Sequence, residues 1–484
     1  MGLTERFISW LRPAVYLGNN ALSLLGAVLT TSAAVTMLGF WAFELFGHGH
    51  VHPYLGIIVF LILPAIFVLG LVLIPVGAFW RRYKLRAAGL LPDVYPRVDF
   101  REPMLRRAAG LVATATVLNI AILGTASYRG VTYMDSVQFC GQTCHSVMEP
   151  EFTAYRNSPH ARVACVDCHI GPGAPWFVRS KLSGVRQVFA VAFDTYNRPI
   201  PTPVRELRPA RETCEQCHWP TKFHGDKFLV RTKYSEDEQN TPLTTVLVLK
   251  IGGRTWQGSV GIHGRHFDEQ ERVTYIATDD RRQVIPWVSY VDDQGKIVEY
   301  TAQDVTVTAQ ELARGERRTM DCMDCHNRPT HIFQLPDRAV DEAITEGRIS
   351  RQLPFVKKKA VELLTAEYPD KPTALEQIYA GLTAFYRENY PEVYSQHRAW
   401  VEMAAQQVRA IYDRNVFPHM KVTWGTYPNN LGHIDFLGCF RCHGGSHRSA
   451  DGRVINPDCT ACHSILAMDD PNPEILQQLG IGAP

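Results

Sequence analysis

The chain has 484 residues, enough for two or three domains, and its 50 Lys and Arg against 48 Asp and Glu leave a formal net charge of only +2. That balance gives no support to a nucleic-acid partner. Twelve cysteines and 18 histidines are the unusual part of the composition.

The first predicted elements are three membrane helices. Residues 21–46 are apolar except for Glu44 near their end, and residues 54–80 carry no charge. As a helix the second stretch reaches about 40 Å, enough to cross a bilayer with tilt. The third, 108–128, is shorter and weaker in Leu and Ile, so a buried helix of the following domain is its competing reading. A cleaved signal peptide competes for the first, but its apolar core is long for that role and no small-residue cleavage pattern follows Phe46. The connection 81–107 holds Arg81, Arg82, Lys84, Arg86, Arg97, Arg101, Arg106 and Arg107, whereas 47–53 has no Lys or Arg. The basic loop is therefore expected in the cytoplasm of a bacterium, with residues 1–20 beside it and everything after Tyr128 on the periplasmic side of the inner membrane.

Beyond the helices, every cysteine belongs to a pair closed by a histidine: Cys140/Cys144/His145, Cys165/Cys168/His169, Cys214/Cys217/His218, Cys322/Cys325/His326, Cys439/Cys442/His443 and Cys459/Cys462/His463. Five read C-x-x-C-H and the first reads C-x-x-x-C-H, so its extra residue has to be absorbed locally. Two thiols that reach the vinyl groups of one porphyrin, followed by an imidazole turned onto its iron, require this spacing. Zinc sites and disulfides also use C-x-x-C pairs, but neither explains a histidine directly after the second cysteine six times. Six covalent haem c groups are expected, and their attachment outside the cytoplasm agrees with the charge-based topology.

The predicted fold class is a multihaem cytochrome c, mainly α and irregular, with three N-terminal transmembrane helices and a small β insertion. Residues 129–227 and 319–334 hold motifs one to four. Between them, 228–318 alternates β-branched residues, as in Leu243-Thr244-Thr245-Val246-Leu247-Val248-Leu249, with turn signals at Gly252-Gly253 and 292–295. Residues 335–417 read as helical with breaks near the prolines at 354, 369 and 391. Motifs five and six lie in 418–468, which has little periodicity, and 469–484 is a tail.

Around the first motifs the text becomes specific: Cys-Gly-Gln-Thr-Cys-His-Ser-Val-Met-Glu-Pro-Glu at 140–151, Ser158-Pro159-His160, Cys-Val-Asp-Cys-His-Ile-Gly at 165–171, Lys181-Leu182-Ser183-Gly184 and Cys-Glu-Gln-Cys-His-Trp-Pro at 214–220. This resembles the NapC/NirT/NrfH family of membrane-anchored tetrahaem cytochromes, over roughly Met134–Lys227 and then Asp321–His331. Three spans and two more haems depart from the single-span tetrahaem pattern and are similar in architecture to the larger inner-membrane cytochromes of the ImcH type. The resemblance implies electron transfer from membrane quinol to a periplasmic redox partner. It implies Met148 or His145 at the iron of haem one, His160 on the iron of motif four, His331 on the iron of motif two, and Lys181 at the border of a quinol site. Where relatives often carry a carboxylate soon after that lysine, this chain has Gln187, with Asp194 later.

Twelve histidines lie outside the motifs, enough for bis-histidine ligation of five haems. The candidates are His160, His331, His224 or the pair His263/His266, His419 or His433, and His447; His397, inside a helical pattern, reads as structural. His48, His50 and His52, with Glu44 nearby, are read as an iron ligand or quinol-proton acceptors at the membrane surface, or else as a solvated Gly-His loop.

The leading functional expectation is an inner-membrane quinol dehydrogenase that passes electrons from menaquinol or ubiquinol to a periplasmic cytochrome or reductase in anaerobic or extracellular respiration. A terminal reductase of a small nitrogen oxide needs an iron with an open position. A haem-wire subunit of a larger membrane complex, or a homo-oligomer, running even toward quinone, fits the same motifs.

Overall fold

The computed structural model describes residues 12–14, 16–46, 63–95, 103–143, 145–171, 174–204, 207–219, 225–255, 258–259, 261–267, 272–292 and 294–481. The chain divides into two compact units, Met1–Cys144 and His145–Pro484.

In the first unit, α1 (Ala21–Phe46), α2 (Leu63–Ala87) and α3 (Pro103–Met134) are continuous helices. As helices their apolar runs satisfy the backbone internally, as a bilayer requires, except at Pro75 inside α2. α1 and α2 run antiparallel and touch through small residues. A Cβ at Gly26 would lie 2.6 Å from the Gly70 carbonyl, and one at Gly77 only 2.5 Å from Ser23 Oγ, so the backbones approach as closely as glycine allows. The Ser23 hydroxyl donates to the Ile74 carbonyl at 2.8 Å, beside Pro75. Ala33, Ala34 and Met37 meet Phe67 of α2 and Ile122 and Ala126 of α3 in one cluster. Among the described residues, α1 and α2 contain the two stretches that are long and apolar enough to cross a membrane, Ala21–Gly39 and Leu63–Ala87. Their outward residues, including Leu24, Val28, Val35, Leu69, Val72 and Phe79, are exposed hydrophobics.

The second unit begins with α4 (His145–Arg156), α5 (Cys165–His169), α6 (Ala174–Ala192) and α7 (Ala210–Cys214). Two antiparallel sheets follow. The first has the order β1 (Lys227–Tyr234), β2 (Pro242–Leu249), β10 (His463–Asp470), and the second β8 (Glu316–Thr319), β5 (Val273–Ala277), β6 (Trp287–Val291), β7 (Ile297–Ala302), β9 (His447–Ser449). A two-stranded ribbon, β3 (Arg254–Thr255) with β4 (Gly258–Ser259), leads into the short helix α8 (Gly261–Phe267). The strands therefore run beyond the stretch read as an insertion: the C-terminal segment, aperiodic in sequence, supplies an edge strand to each sheet. β10 is an edge strand that pairs β2, with register shifts after Ile465 and Ala467.

Short helices α9 (Ala309–Arg314) and α10 (Cys322–Cys325) precede a helical layer, α11 (Pro336–Thr345), α12 (Val356–Thr365), α13 (Lys371–Asn389), α14 (Pro391–Gln396) and α15 (Arg398–Asn415). Here the prolines start helices, Pro336 and Pro391 at the first turn of α11 and α14, where the missing N–H costs nothing. Ala374, Ile378, Leu382 and Tyr386 repeat every four residues on α13 and are fully buried against Val401, Val408 and Ile411 of α15. This is the largest side-chain core of the described residues. α16 (Phe440–His443) and α17 (Glu474–Gln478) complete the unit.

Candidate haem centres

Four of the motifs are built on a single helical turn, which brings their two cysteines to one side. α5 is motif two itself, α10 and α16 carry motifs four and five, and Cys459–Ala461 is a 3-10 turn. The N–H groups of His218, His326 and His443 donate to the carbonyls of Cys214, Cys322 and Cys439 at 2.8, 2.8 and 3.0 Å, so each histidine leaves its turn at a fixed step from the first cysteine. Asp321 caps motif four by accepting from the Met323 N–H, and Asp458 caps motif six by accepting from the Thr460 N–H, both at 2.8 Å. The extra residue of motif one falls in a π-helical turn, Phe139–Thr143, whose wider ring accommodates it.

None of the described cysteines is paired in a disulfide. Burial pushes Cys325 and Cys442 up to about 12 and also raises Cys168 and Cys462. Cys322 shifts the other way, lowered by its hydrogen bond with Cys214. The motifs also follow one another in space. Cys168 lies near Cys217, Cys214 and Cys322 hydrogen-bond each other, Cys325 lies near Cys439 and Cys442, and Cys462 lies near Cys439. Motifs two to six form one line in chain order. Arg441, between the cysteines of motif five, locks it to motif four by donating to the Asp324 carbonyl at 2.6 Å.

Five motif histidines each face a second imidazole. His169 lies 6.2 Å from His331, His218 6.0 Å from His160, His326 6.4 Å from His263, His443 5.9 Å from His266 and His463 6.1 Å from His433, between ring centres. With metal–nitrogen bonds of about 2 Å and a ring radius of about 1.2 Å, two imidazoles on opposite sides of one metal have centres about 6 Å apart. Each pair therefore could hold one iron. Hydrogen bonds set the tautomers: Nδ1 donates to a main-chain carbonyl in His160 (Pro329, 3.2 Å), His331 (Glu151, 2.9 Å), His266 (Ile262, 2.7 Å) and His443 (Asn456, 2.9 Å). A carbonyl only accepts, so Nδ1 is protonated and the Nε2 lone pair is left for a metal.

Residues 103–200 match the model of the NapC/NirT cytochrome c family, N-terminal region. The chain is 45% identical over 455 residues to the cytochrome c-type protein ImcH of Geobacter sulfurreducens, spanning 94% of this chain and 89% of that one. The chain belongs to the NapC/NirT cytochrome c family. More distant relatives are the cytochrome c-type protein TorC of Escherichia coli K12, 30% identical over 24% of this chain and 34% of TorC, and the cytochrome c nitrite reductase subunit NrfH of Nitratidesulfovibrio vulgaris, 30% identical over 23% of this chain and 69% of NrfH. No solved structure matches it. As a NapC/NirT cytochrome with two membrane-length apolar helices, it is a membrane-bound electron-transport protein of the multihaem, covalent haem c class.

Against the family pattern, the structure rearranges several expected residues. His160 faces the motif-three histidine, not that of motif four. Tyr155 holds its loop in place by donating to the carbonyls of Ala161 and Val163 at 2.8 and 3.0 Å. His447, expected as an iron ligand, is a buried strand residue whose Nε2 donates to the Ile285 carbonyl at 2.8 Å; that nitrogen carries a proton and has no lone pair to offer. His419 lies 3.4 Å from the Glu149 carboxylate. His397 stacks on Trp400 at 4.3 Å between ring centres. Met148 is half-buried in the first turn of α4, which His145 opens. Lys181 and Gln187 both lie on α6, where Gln187 is exposed and donates to Ser183 Oγ at 3.3 Å. Asp194, just beyond, is held below the usual carboxylate range by its hydrogen bond to Arg198, which makes it a poor proton acceptor. Glu44 lies on α1, while Cys144, His224, His48, His50 and His52 lie outside the described residues.

One group escaped sequence reading. Glu151, six residues after His145, is buried with Arg328 Nη2 3.3 Å from both carboxylate oxygens, and its Oε2 is 3.2 Å from His331 Nδ1. Arg328 in turn lies over the Tyr427 ring at 4.3 Å and donates to the His331 carbonyl at 2.6 Å. A lone Glu beside a motif carries no signal of such a contact in the sequence.

Proposed function

We propose that this chain is an inner-membrane quinol dehydrogenase with a cytoplasmic N-terminus, three spans and a periplasmic unit that holds six haems, one at each cysteine pair. Haem c at these positions supplies one-electron chemistry, which lets a two-electron quinol be handed on singly to a periplasmic redox partner. His169 with His331, His218 with His160 and His463 with His433 are the ligand pairs of motifs two, three and six. α3 serves as the third span, in keeping with exposed Val117, Leu118 and Ile120 along it.

The observation that carries the reading is α6. It bears Lys181 and Gln187 and exposes Leu182, Val185, Val188 and Phe189 to its surroundings, with Phe193 just past its end. An apolar helix face of this kind suits the lipid–water boundary, where a lipid-soluble quinol is met. Lys181 orients and Gln187 hydrogen-bonds the quinol head group, and protons leave to the periplasmic side. A second imidazole beside each motif histidine of motifs two to six favours electron transfer over a terminal reductase there.

The test is anaerobic stopped-flow reduction of the purified, detergent-solubilised protein by a reduced menaquinol analogue. Prompt haem reduction, slowed at least about tenfold by Lys181→Ala, corresponding to about 1.4 kcal/mol of transition-state interaction, supports the proposal. Haems reduced by dithionite but untouched by quinol overturn it.

A further inference from the structure

We propose that the seven-residue helix α8 provides the distal iron ligands of two different haems, His263 for motif four and His266 for motif five, and thereby splices the first four haems to the C-terminal pair. The inference rests on haem attachment at these motifs and adds ligands from a segment outside the 103–200 family match.

Three observations converge on it. The two imidazoles sit three residues apart on one helix, yet His263 faces His326 at 6.4 Å with the ring planes 19° apart, and His266 faces His443 at 5.9 Å and 61°. Both separations are those of a bis-imidazole iron, and each joins a different motif. His266 and His443 both commit Nδ1 to a carbonyl, which leaves the Nε2 lone pair of each available to a metal.

The placement of α8 is tightly determined. Its first N–H groups, unpaired in any helix, donate to three consecutive carbonyls: Ile262 to Lys250 at 2.8 Å, His263 to Ile251 at 3.1 Å and Gly264 to Gly252 at 3.0 Å. Gly261 enters the helix at φ +67°, and a Cβ there would lie 2.5 Å from the Lys250 carbonyl, so no other residue fits. At the far end Arg211, on the motif-three helix α7, donates to the Phe267 carbonyl at 3.0 Å. Lys250 is tied to motif six as well, through its N–H to the Cys462 carbonyl at 2.8 Å and its Nζ to Thr460 at 2.7 Å. The β segment between motifs three and four therefore has a purpose: it carries one helix to the junction of motifs four and five, where Cys325 meets Cys439 and Cys442.

The experiment counts carbon monoxide bound by the dithionite-reduced full-length protein, with total haem measured by pyridine haemochrome. A wild type with fewer than six haems defeats the haem assignment itself, separately from the ligand question. With six present, His263→Ala and His266→Ala each add one CO equivalent over wild type, the double variant adds two, and His447→Ala adds none. Should an alanine variant fail to accumulate, His263→Met and His266→Met keep six-coordinate iron, and each gains the near-infrared band of methionine-ligated ferric haem. A double variant that adds one equivalent places both histidines on one iron and overturns the proposal. So do alanine variants that add none, methionine variants without the new band, or a His447→Ala variant that adds one.

Discussion

Replacing Glu151 by Gln removes a buried negative charge from beneath the His331 imidazole while keeping shape and ligand geometry. The ring stays in place because its Nδ1 donates to the Glu151 main-chain carbonyl at 2.9 Å, which the substitution leaves intact. Arg328 also stays, held by the Tyr427 ring and the His331 carbonyl. From Oε2 to Nδ1 is 3.2 Å; the ring and a metal–nitrogen bond add about 4 Å, so the carboxylate would act on an iron held by His331 from about 7 Å. At an effective dielectric of about 20 one unit charge there is worth about 2.4 kcal/mol. For a one-electron couple that is about 100 mV, and since a nearby anion favours the ferric state, its loss moves the potential upward. Spectroelectrochemical titration of wild type and Glu151→Gln, with EPR to resolve the low-spin signals, reads the shift. One couple should rise by about 100 mV with all haems still low-spin. A downward shift, or no couple moving by more than about 30 mV, would refute the placement of Glu151 behind the iron of motif two.

Three further outcomes follow from the packing. His447→Ala strands the buried Ile285 carbonyl and should lower stability by about 1–3 kcal/mol in a denaturant titration, without changing the haem spin state. Lys357→Met breaks the buried contact at 2.6 Å with Asp341 and should cost about 3–5 kcal/mol, read as unfolding of the helical layer. Burial already raises Asp341 above the usual carboxylate range and the Lys357 ammonium opposes that shift. In the variant the raised folded value therefore confers stability at low pH that is lost as pH rises through it. Gly26→Leu should separate α1 from α2, since even a Cβ there meets the Gly70 carbonyl at 2.6 Å; cysteine crosslinking between the two helices in native membranes would drop while Val28→Leu, on the exposed side, leaves it unchanged.

The haem class and the family could be read from the sequence because both reside in short contiguous motifs, and α1 and α2 because uncharged apolar runs have few alternatives. The distal histidines were harder. Which of them lies against a motif histidine depends on partners remote along the chain, so His447, close behind its motif, reads as a better candidate than His266. The Gly-Ile-His-Gly-Arg-His run was visible as a histidine pair, but not that its two members face different motifs, since that follows from the carbonyls of Lys250, Ile251 and Gly252. The strand β10 is equally hidden: residues 463–470 do not alternate, and their pairing with β2 is remote along the chain.

The most direct measurement is an anaerobic titration of the purified protein with a reduced menaquinol analogue, counting electrons accepted per chain against the dithionite-reducible total. A quinol-fed haem wire takes up one electron at every couple lying above that of the quinol. A chain that fills with dithionite yet takes no electrons from quinol at any excess is not a quinol dehydrogenase.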